Sequence, residues 1–483
     1  MLSPQISAQP GLLKGLGFWE ATAINITQIV GAGVFATIPL ILGYLPGQYA
    51  LLAWLVAGVL IVADGMVWGE LGAALPAAGG TYHYLLESFG RAKWGRLMAF
   101  LFVWQILISG PLEVGSGLVA AAQFSKTITL DFKAWDEAHS TTWEMEIQPE
   151  QKIGITVGPS RFLGLAMGLL ILFLLYRKVD ALGRISLIFL TAVFCIVGWV
   201  IVGGALHFDP AIAFDAEIAP EEWPPNFGMA LGMGMGLAIY SYFGYYNVCY
   251  LGGEVRNPAR TIPYSILASA LIVVVLFSLV HLAIVGSIPW REAKNYSSNI
   301  TAEFMNRLHG PWAGSLVSVL LMGSCFASAF SGMLGYSRVP FAAAQNGHFF
   351  RWFAAVHPTL HIPHRSLLLI AGMVLFWSFF NLDMIITALI ATRILEQFVA
   401  QTLGLIYLRK TRPDVALPWK MWLYPLPCLV GLIGWSFLYI TTGKIFMVIG
   451  AATLLLGALV FLLWSRHTEQ WPFEPKAEPP AAF

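Results

Sequence analysis

Apolar stretches close to the length needed to cross a lipid bilayer recur along this whole chain. A membrane-spanning helix needs about 20 predominantly apolar residues, and twelve such stretches can be counted in the sequence. The pattern predicts an all-α polytopic membrane protein with 12 transmembrane helices, here called helices 1 to 12. Their expected spans are residues 16–43, 48–75, 97–124, 160–176, 183–206, 227–253, 262–288, 311–344, 366–382, 385–408, 421–442 and 445–464.

Composition excludes the soluble classes of protein. Of the 483 residues, 58% are hydrophobic and 11% are charged, and the mean hydropathy is +0.71, which is outside the range of soluble globular domains. The formal net charge is only +1 and the basic residues lie at membrane edges, so no nucleic-acid partner is expected. Four cysteines fall inside expected spans without paired spacing, which indicates small core residues rather than disulfides or a zinc site: Cys195, Cys249, Cys325 and Cys428.

Lysine and arginine are concentrated in loops that lie on one side of the expected bundle. The loops after helices 2, 4, 6, 8 and 10 carry them, whereas the loops after helices 1, 5 and 9 carry none. By the positive-inside rule, both termini are expected in the cytoplasm, with the protein in the plasma membrane. Residues 1–13 lack the basic stretch and short apolar core of a signal peptide, so helix 1 is expected to remain in the protein.

One loop is unusually long. Residues 125–159, between helices 3 and 4, are rich in acids and include Trp135 and Trp143. The segment is long enough to form a small external cap, but a solvated linker explains it equally well. Both interpretations stay open.

Glycines interrupt the first apolar stretch. Gly31, Ala32 and Gly33 stand among apolar and aromatic neighbours, and a backbone break in lipid is tolerated only where it lines a cavity. Helix 6 has a similar expected break near residues 242–245, five spans later. An odd offset makes the two halves cross the membrane in opposite senses, as in an inverted repeat with two broken helices meeting at the midplane. Three other glycines of helix 6 indicate close helix packing instead: Gly232, Gly234 and Gly236.

Several motifs follow one another in order along the chain. They are Gly31-Ala-Gly-Val-Phe35, Gly69-Glu-Leu-Gly-Ala-Ala-Leu-Pro-Ala-Ala-Gly-Gly-Thr-Tyr82, Gly253-Glu-Val-Arg-Asn-Pro-Ala-Arg-Thr-Ile-Pro263, Tyr336-Ser-Arg338 with Asn346-Gly-His348, and Leu405-Ile-Tyr-Leu-Arg409 with Arg412-Pro413. Over about residues 15–425 the chain resembles the amino acid, polyamine and organocation (APC) transporter superfamily. The resemblance implies a leucine-transporter-like fold, in which helices 1–5 and 6–10 form a 5+5 inverted repeat and helices 11 and 12 are peripheral.

The implied fold divides the chain into segments. The first repeat occupies residues 14–206 and includes the loop 125–159, and the inverted second repeat occupies residues 227–410. The remaining segments are a cytoplasmic N-terminus at 1–13, an external loop at 207–226, the peripheral helices at 411–464 and a cytoplasmic tail at 465–483.

Helix ends at the break suit an α-amino acid. Amide groups at the start of the outer half of helix 1 favour a carboxylate, and carbonyls at the ends of neighbouring half-helices favour an ammonium group. The sequence therefore predicts a secondary-active transporter that moves amino acids or related amines across the lipid bilayer by alternating access. A valine at position 33 is expected to block binding while leaving the protein folded. The positions that match the family's binding segment are Gln28, Ile29, Gly31, Ala32, Gly33, Tyr240, Tyr242, Phe243, Gly244, Tyr245 and Asn247.

Ionisable residues inside the spans are costly and usually face a cavity. Glu113 in helix 3 has three competing interpretations: a counter-ion for a cationic substrate, a proton-binding site, or the structural partner of an internal base. Arg393 in helix 10 is the obvious base, although it could pair with Glu396 one turn further on. Asp64 in helix 2 occupies a place where some polyamine-transporting relatives carry acids. A polyamine or cationic amino acid transporter that uses Glu113 therefore remains an alternative.

The coupling ion is open. In several relatives a sodium ion lies between helix 1 carbonyls and helix 8 hydroxyls, and Ser328 and Ser331 are the candidates here, although such hydroxyls more often bond to their own backbone. In other relatives, which are proton-coupled or exchange substrates, a lysine of helix 5 fills the place of the sodium ion. This chain has Val193 at the position that aligns with the lysine, and residues 185–202 contain no Lys, Arg or His. Three modes of coupling therefore stay open: Na⁺ symport, H⁺ coupling through Glu113, and exchange. No other cofactor and no metal site are expected.

Other classes of function have little support. No nucleophile elbow, zinc-protease motif, phosphate loop or dinucleotide fingerprint occurs, so the chain is not expected to be an enzyme. A channel would favour a continuous polar file of helix faces, which two isolated carboxylates in helices 2 and 3 do not make. Four histidines within residues 348–364 have no acid among them, and are expected to be solvated rather than bound to a metal.

Overall fold

Helices dominate the structure. The computed structural model describes residues 15–31, 33–148, 151–176, 182–215, 217–296, 299–360 and 362–473, and 76% of the chain is helical. The predicted N-terminal segment 1–13, Ala32 and the end of the predicted tail lie outside the described residues. The prediction of a mostly helical chain with several apolar spans is confirmed.

The elements of the first half run in this order: α1 (Phe18–Ile29), α2 (Gly33–Tyr44), α3 (Ala50–Ala74), α4 (Thr81–Ser88), α5 (Trp94–Ser125), α6 (Leu130–His139), β1 (Thr141–Gln148), β2 (Gln151–Val157), α7 (Pro159–Leu175), α8 (Leu182–Leu206) and α9 (Pro210–Ala213). The second half contains α10 (Phe227–Tyr242), α11 (Asn247–Tyr250), α12 (Pro258–Val285), α13 (Trp290–Ala293), α14 (Ile300–His309), α15 (Pro311–Tyr336), α16 (Arg338–Gln345), α17 (His364–Trp377), α18 (Leu382–Arg393), α19 (Gln401–Thr411), α20 (Leu426–Thr441) and α21 (Lys444–His467). A π-helical segment, Ile394–Ala400, joins α18 to α19.

Five of the described helical segments are long and apolar enough to cross a membrane by themselves: Gly47–Ala74, Trp94–Ser125, Pro258–Val285, Pro311–Gln345 and Lys444–His467. A sixth span results if α1 and α2 are one bent helix. Shorter apolar helices accompany them, among them α7, α10, α17 and α20. In the last long segment, α21, 22% of the most apolar stretch is buried inside the protein, whereas 50–67% is buried in the other four segments. It therefore lies at the edge of the bundle.

Long helices pack in pairs that small residues bring close together. α3 lies against α12, α5 against α15, and α2 against α10. On α3, a Cβ at Gly58 would lie 2.8 Å from Val274, and one at Gly69 would lie 3.0 Å from Pro263, both on α12. Without a hydrophobic driving force between helices in lipid, such close approach supplies the van der Waals contact that holds them together.

The glycines of α10 behave as predicted for a packing surface. A Cβ at Gly232 would lie 2.3 Å from Thr441 of α20, and one at Gly234 would lie 3.0 Å from Leu45. A Cβ at Gly236 would lie 3.6 Å from Cδ1 of Ile390 on α18. Close helix packing at Gly232 and Gly234 is therefore confirmed.

The described parts of the long loop, residues 125–148 and 151–159, are folded. These residues form α6 and the antiparallel hairpin β1–β2. The hairpin is tied to the connection between α17 and α18, because the Thr156 amide donates to the Phe379 carbonyl at 2.8 Å. Asp136 of α6 accepts from the Ser160 amide at 2.7 Å and pairs with Lys126 at 2.7 Å. Burial raises the pKa of Asp136, but the Lys126 ammonium and the Ser160 amide outweigh burial and hold that pKa below its usual value. Of the two open interpretations, the structure favours the cap.

Two expectations about small features are wrong. Cys195 is exposed on α8 rather than part of the core, because its side chain lies on the outer face of a helix whose inner face includes the buried Val193. The predicted tail begins inside α21, which continues to His467. Trp471 then packs its ring against Trp94, at 5.4 Å between centroids.

Candidate functional site

The first apolar stretch forms two helices. α1 ends at Ile29, α2 begins at Gly33, and their axes differ by 44°. The last α-helical bond of α1 runs from the Val30 amide to the Ile26 carbonyl at 2.8 Å. Carbonyl groups near the end of α1 are left without helical partners and become available to other helices.

Serines of α15 occupy those carbonyls. The Ser324 hydroxyl donates to the Val30 carbonyl at 2.5 Å, and the Ser328 hydroxyl donates to the Gln28 carbonyl at 2.6 Å. Ser331 lies 3.3 Å from the Ile24 carbonyl. The expectation that these hydroxyls bond to their own helix is therefore wrong. The Gln28 and Val30 carbonyls lie beyond the last α-helical bond of α1, so they are available to the Ser328 and Ser324 hydroxyls, whereas Ile24 lies within α1.

The sixth apolar stretch is interrupted as well. α10 ends at Tyr242, and the backbone passes through Gly244 at φ +115° before α11 begins at Asn247. A Cβ at Gly244 would lie 2.3 Å from Cγ of Gln28. The side-chain amide of Asn247 donates through Nδ2 to the Ser331 hydroxyl at 3.0 Å. The end of α10 thus lies directly against the end of α1.

Further polar contacts tie the two interrupted stretches together. The Asn25 side-chain oxygen of α1 accepts from the Val248 amide of α11 at 2.9 Å. Both residues are buried, so this bond satisfies a backbone donor at the start of α11 that the helix itself cannot. This bond therefore holds the start of α11 against the middle of α1.

Gly31 and Gly33 are packing positions. A Cβ at Gly31 would lie 2.8 Å from the Ser328 hydroxyl, and a Cβ at Gly33 would lie 2.6 Å from the Cα of Ser241 on α10. Backbone cannot yield as a flexible side chain can. The expectation that valine at position 33 leaves the fold intact is therefore wrong, because the same side chain would push α2 away from α10.

Glu113 of α5 is the centre of a buried polar cluster. One of its carboxylate oxygens accepts from Nε2 of Gln28 at 2.9 Å. The other accepts from the Tyr336 hydroxyl at 2.6 Å and forms an ion pair with Arg393. We call Gln28, Glu113, Tyr336 and Arg393, with Ser109 and Tyr246, the Glu113 cluster.

Arg393 is wholly buried at the end of α18, with 0% of its surface exposed. Its guanidinium lies 3.3 Å from the Ser109 hydroxyl and donates to the Tyr246 hydroxyl at 3.0 Å. The rings of Phe243 and Tyr336 lie 5.2 and 5.4 Å from its central carbon. These hydrogen bonds and ring faces, together with the carboxylate, compensate the cost of burying a charge.

The structure decides between the open pairings of Arg393. It pairs with Glu113 rather than with Glu396, because Glu396 lies on the π-helical segment after α18, where the turn is wider. Oε2 of Glu396 is buried and has no hydrogen-bond partner within the described residues. Of the three interpretations of Glu113, partnership with an internal base is the one that the contacts match.

Asp64 belongs to a separate cluster. Its carboxylate accepts from the Tyr245 hydroxyl at 2.5 Å and from the indole of Trp435, on α20, at 3.1 Å. Tyr242 is likewise directed away from Glu113, since its hydroxyl lies 3.3 Å from the Trp54 carbonyl of α3. The structure therefore does not bring Asp64, Tyr242 and Tyr245 into the Glu113 cluster.

The other predicted positions lie close to the break. Tyr240 donates to the Ser116 hydroxyl at 2.8 Å, and Ser116 in turn donates to the Glu113 carbonyl at 2.5 Å. Ile29 is buried, with 3% of its surface exposed. Phe243 stacks on Phe398 at 5.8 Å. These contacts join α10 to α5 and to the π-helical segment.

Sequence reasoning missed several members of these clusters. Tyr246 lies one residue before the matched Asn247, and Tyr336 opens a motif that was used only for the resemblance. Ser109 and Ser324 carry no local signal, because a serine in an apolar helix more often bonds to its own backbone. Trp435 is on a helix predicted to be peripheral, so nothing in the sequence marks it.

A cavity of about 400 Å³ lies near one end of the bundle. It is bounded by the end of α2, the middle of α10, the first turns of α18 and the end of α20, with further lining residues from β1 and α21. Asp383 and Glu144 are the carboxylates in its lining. None of its lining residues belongs to the Glu113 cluster.

Comparison with known proteins identifies the family. The sequence profile of the amino acid permease family matches residues 16–464. This chain belongs to the amino acid permease family. The resemblance to the APC superfamily is thereby confirmed, and the protein is an integral membrane protein.

Relatives of this permease have different named substrates. It is 28% identical over 362 residues to the serine/threonine exchanger SteT of Bacillus subtilis (strain 168), and the aligned residues cover 73% of this chain and 74% of the relative. It is 28% identical over 432 residues to the cystine/glutamate transporter of Homo sapiens, with 87% and 77% covered. The branched-chain amino acid permease BcaP of Bacillus subtilis is 21% identical over 480 residues, with 95% of each chain covered. These relatives are amino acid transporters.

Proposed function

We propose that this permease is a secondary-active transporter that holds an amino acid beside the two interrupted helices and releases it by alternating access. The observation that carries the proposal is the meeting of the two interruptions, where Gly244 lies against Gln28. A break in a transporter helix places backbone amide and carbonyl groups inside the protein, and those that the α15 serines do not bond suit the carboxylate and ammonium of one substrate. The matched positions around both breaks, with Ala32, are the proposed binding residues.

The pairing of helices supports an inverted repeat. α2 and α10, α3 and α12, and α5 and α15 pack against each other, and each pair joins predicted helices five positions apart: 1 with 6, 2 with 7 and 3 with 8. A two-fold axis relating helices 1–5 to helices 6–10 would produce these pairs. We therefore propose the 5+5 arrangement with 12 spans, both termini in the cytoplasm and a plasma-membrane location.

Charge balance favours a substrate without net charge. Glu113 is paired with Arg393, so the cluster beside the break contributes no net charge from these two groups. A cationic substrate would have to compete with a guanidinium that is already in place. A neutral zwitterion is the proposed substrate class, and cationic amino acid or polyamine transport through Glu113 is the second candidate.

Counterflow in proteoliposomes tests the proposed transport. Vesicles loaded with unlabelled serine or leucine are expected to take up the labelled amino acid faster than empty vesicles, and uptake should saturate with concentration. Lipid vesicles without protein are the control. Uptake that rises linearly with concentration and ignores the internal amino acid would indicate a pore and would refute alternating access.

Sodium is not expected to drive this transport. The Ser328 hydroxyl and the Gln28 carbonyl are 2.6 Å apart, whereas oxygen ligands of one hard cation, each about 2.3–2.6 Å from it, lie farther from one another. The predicted helix 8 hydroxyls are thus already bonded to the carbonyls that would share the ion. Replacing external Na⁺ by choline should leave initial uptake within about twofold, on the order of 0.4 kcal/mol.

Ser328→Ala serves as the matched variant for the sodium experiment. It removes one hydrogen bond to α1, at a cost of about 1 kcal/mol, and should not change the ratio of uptake in Na⁺ to uptake in choline. A strong sodium requirement that disappears in Ser328→Ala would show instead that this hydroxyl binds the ion.

A further inference from the structure

A basic pocket lies where α19 ends and the chain leads towards α20. It has a volume of about 490 Å³ and is open to the surface. We define the basic pocket by its lining: Ile406, Arg409, Lys410, Leu417, Lys420 and Tyr424. Its three cations belong to the loop that the positive-inside rule assigns to the cytoplasmic side.

One of the three cations is held by a partner within the protein. Nε and Nη2 of Arg409 donate to the two carboxylate oxygens of Glu70, on α3, at 2.7 and 2.6 Å. The guanidinium also covers the ring of Tyr424 at 3.9 Å. Glu70 therefore neutralises Arg409 and holds it as part of the wall of the basic pocket.

The other two cations are available to a ligand. Lys410 and Lys420 are exposed, and within the described residues neither forms an ion pair. Asp414, the acid that lies between them in sequence, is paired with Arg412 at 2.9 Å. The basic pocket thus carries an excess of two positive charges on flexible side chains, which suits a phosphate group as point charges.

Apolar side chains next to the basic pocket distinguish a lipid from a soluble anion. Trp422 and Leu423 are 54% and 74% exposed, and Leu426, at the start of α20, is 53% exposed. On the neighbouring α19, Leu403 and Tyr407 are 45% and 48% exposed. Exposed apolar side chains therefore lie on both helices that border the basic pocket.

We propose that the basic pocket binds the headgroup of an anionic phospholipid. The phosphate lies between Lys410 and Lys420, and the acyl chains lie along the exposed apolar faces of α19 and α20. Basic groups beside membrane helices on the cytoplasmic side recognise anionic headgroups in this way. Glu70 also accepts from the Met421 amide at 2.8 Å, so the segment before α20 is tied to α3 in the folded protein. A lipid that binds only this folded arrangement stabilises it.

Thermal unfolding of the purified protein in detergent tests the proposal without any transport assay. The probes are dioctanoyl phosphatidylglycerol, dioctanoyl phosphatidylcholine and inorganic phosphate. Phosphatidylglycerol should raise the unfolding temperature of the wild type, whereas phosphatidylcholine and phosphate at the same concentration should not. In Lys410→Gln/Lys420→Gln the concentration needed for half of the effect should rise by about 30-fold, which corresponds to two lysines near an anionic surface.

Controls separate the site from general charge. Lys93→Gln/Lys444→Gln removes two exposed lysines elsewhere and should respond to phosphatidylglycerol as the wild type does. Lys410→Arg/Lys420→Arg keeps both charges and should keep the response, which covers the case in which the glutamine variant folds poorly. Equal stabilisation of the glutamine variant and the wild type would overturn the proposal, and so would an effect of inorganic phosphate equal to that of the lipid.

Discussion

Arg393→Met is expected to lower the free energy of unfolding by about 3–5 kcal/mol, the usual cost of removing one partner of a buried ion pair. The substitution keeps most of the side-chain volume but leaves the carboxylate of Glu113 with only Gln28 and Tyr336 as partners. Glu113 is 9% exposed, so water can compensate the lost guanidinium only in part. The instability should appear as a lower unfolding temperature and a poorer yield of monodisperse protein.

The double variant Glu113→Gln/Arg393→Met separates the ion pair from packing. If the loss arises from an unpaired charge, neutralising Glu113 should restore most of the unfolding temperature, because replacing both partners of a buried pair is often close to neutral. Arg412→Met is the control: it removes a solvent-accessible pair with Asp414 and one hydrogen bond to the Glu87 carbonyl, and should have a much smaller effect. A double variant as unstable as Arg393→Met would contradict this account.

Transport by Glu113→Gln distinguishes the two candidate substrate classes. Because Glu113 contacts Arg393, Gln28 and Tyr336, its neutralisation should reduce uptake of alanine and of arginine by similar factors. Loss of arginine or polyamine uptake alone, with alanine uptake preserved, would favour the counter-ion interpretation instead. Initial rates in proteoliposomes at matched protein density provide the comparison.

Gly244→Ala is expected to abolish transport and to destabilise the protein by about 2–4 kcal/mol, from overpacking and from a positive φ that alanine tolerates poorly. The new Cβ would lie 2.3 Å from Cγ and 2.8 Å from Cβ of Gln28. Relief requires the end of α10 to move away from the end of α1. Because Gln28 also donates to Glu113, that movement would disturb the Glu113 cluster as well.

Gly323→Ala is the matched control for this substitution. Gly323 lies within α15, and a Cβ added there would meet no atom of the described residues within 4 Å. Alanine should therefore be neutral or stabilise the helix by up to about 1 kcal/mol. Uptake and unfolding temperature of both variants should be measured side by side. Wild-type transport by Gly244→Ala would show that the two interruptions need not stay in contact.

Much of the architecture could be predicted because it depends on neighbours in the chain. The length of each apolar stretch and the position of the glycines are local properties, and the long helices α3, α5, α12 and α15 occur in the stretches from which they were predicted. The family motifs are also local, and the profile match from residue 16 to residue 464 agrees with them. The 5+5 repeat stays a proposal, supported by which helices pack together.

Partners of individual side chains could not be predicted. Glu113 had three candidate roles, and its base Arg393 lies 280 residues away in sequence. Whether Arg393 pairs with Glu113 or with Glu396 depends on a π-helical segment that has no simple sequence signal. The carbonyl that accepts from Ser328 is 300 residues away in sequence. The usual preference of a serine for the backbone of its own helix therefore predicted the wrong acceptor.

The sequence by itself determined that this chain is a helical membrane protein of the amino acid permease family. The length of an apolar stretch and the residues of a contiguous motif depend only on the order of residues along the chain. Only the tertiary structure decided that Gly33 is a packing position, that Cys195 is exposed and that the described parts of loop 125–159 are folded. It also placed two unpaired lysines beside exposed apolar helices. Those properties depend on which surfaces meet, and burial and charge pairing are properties of neighbours in space.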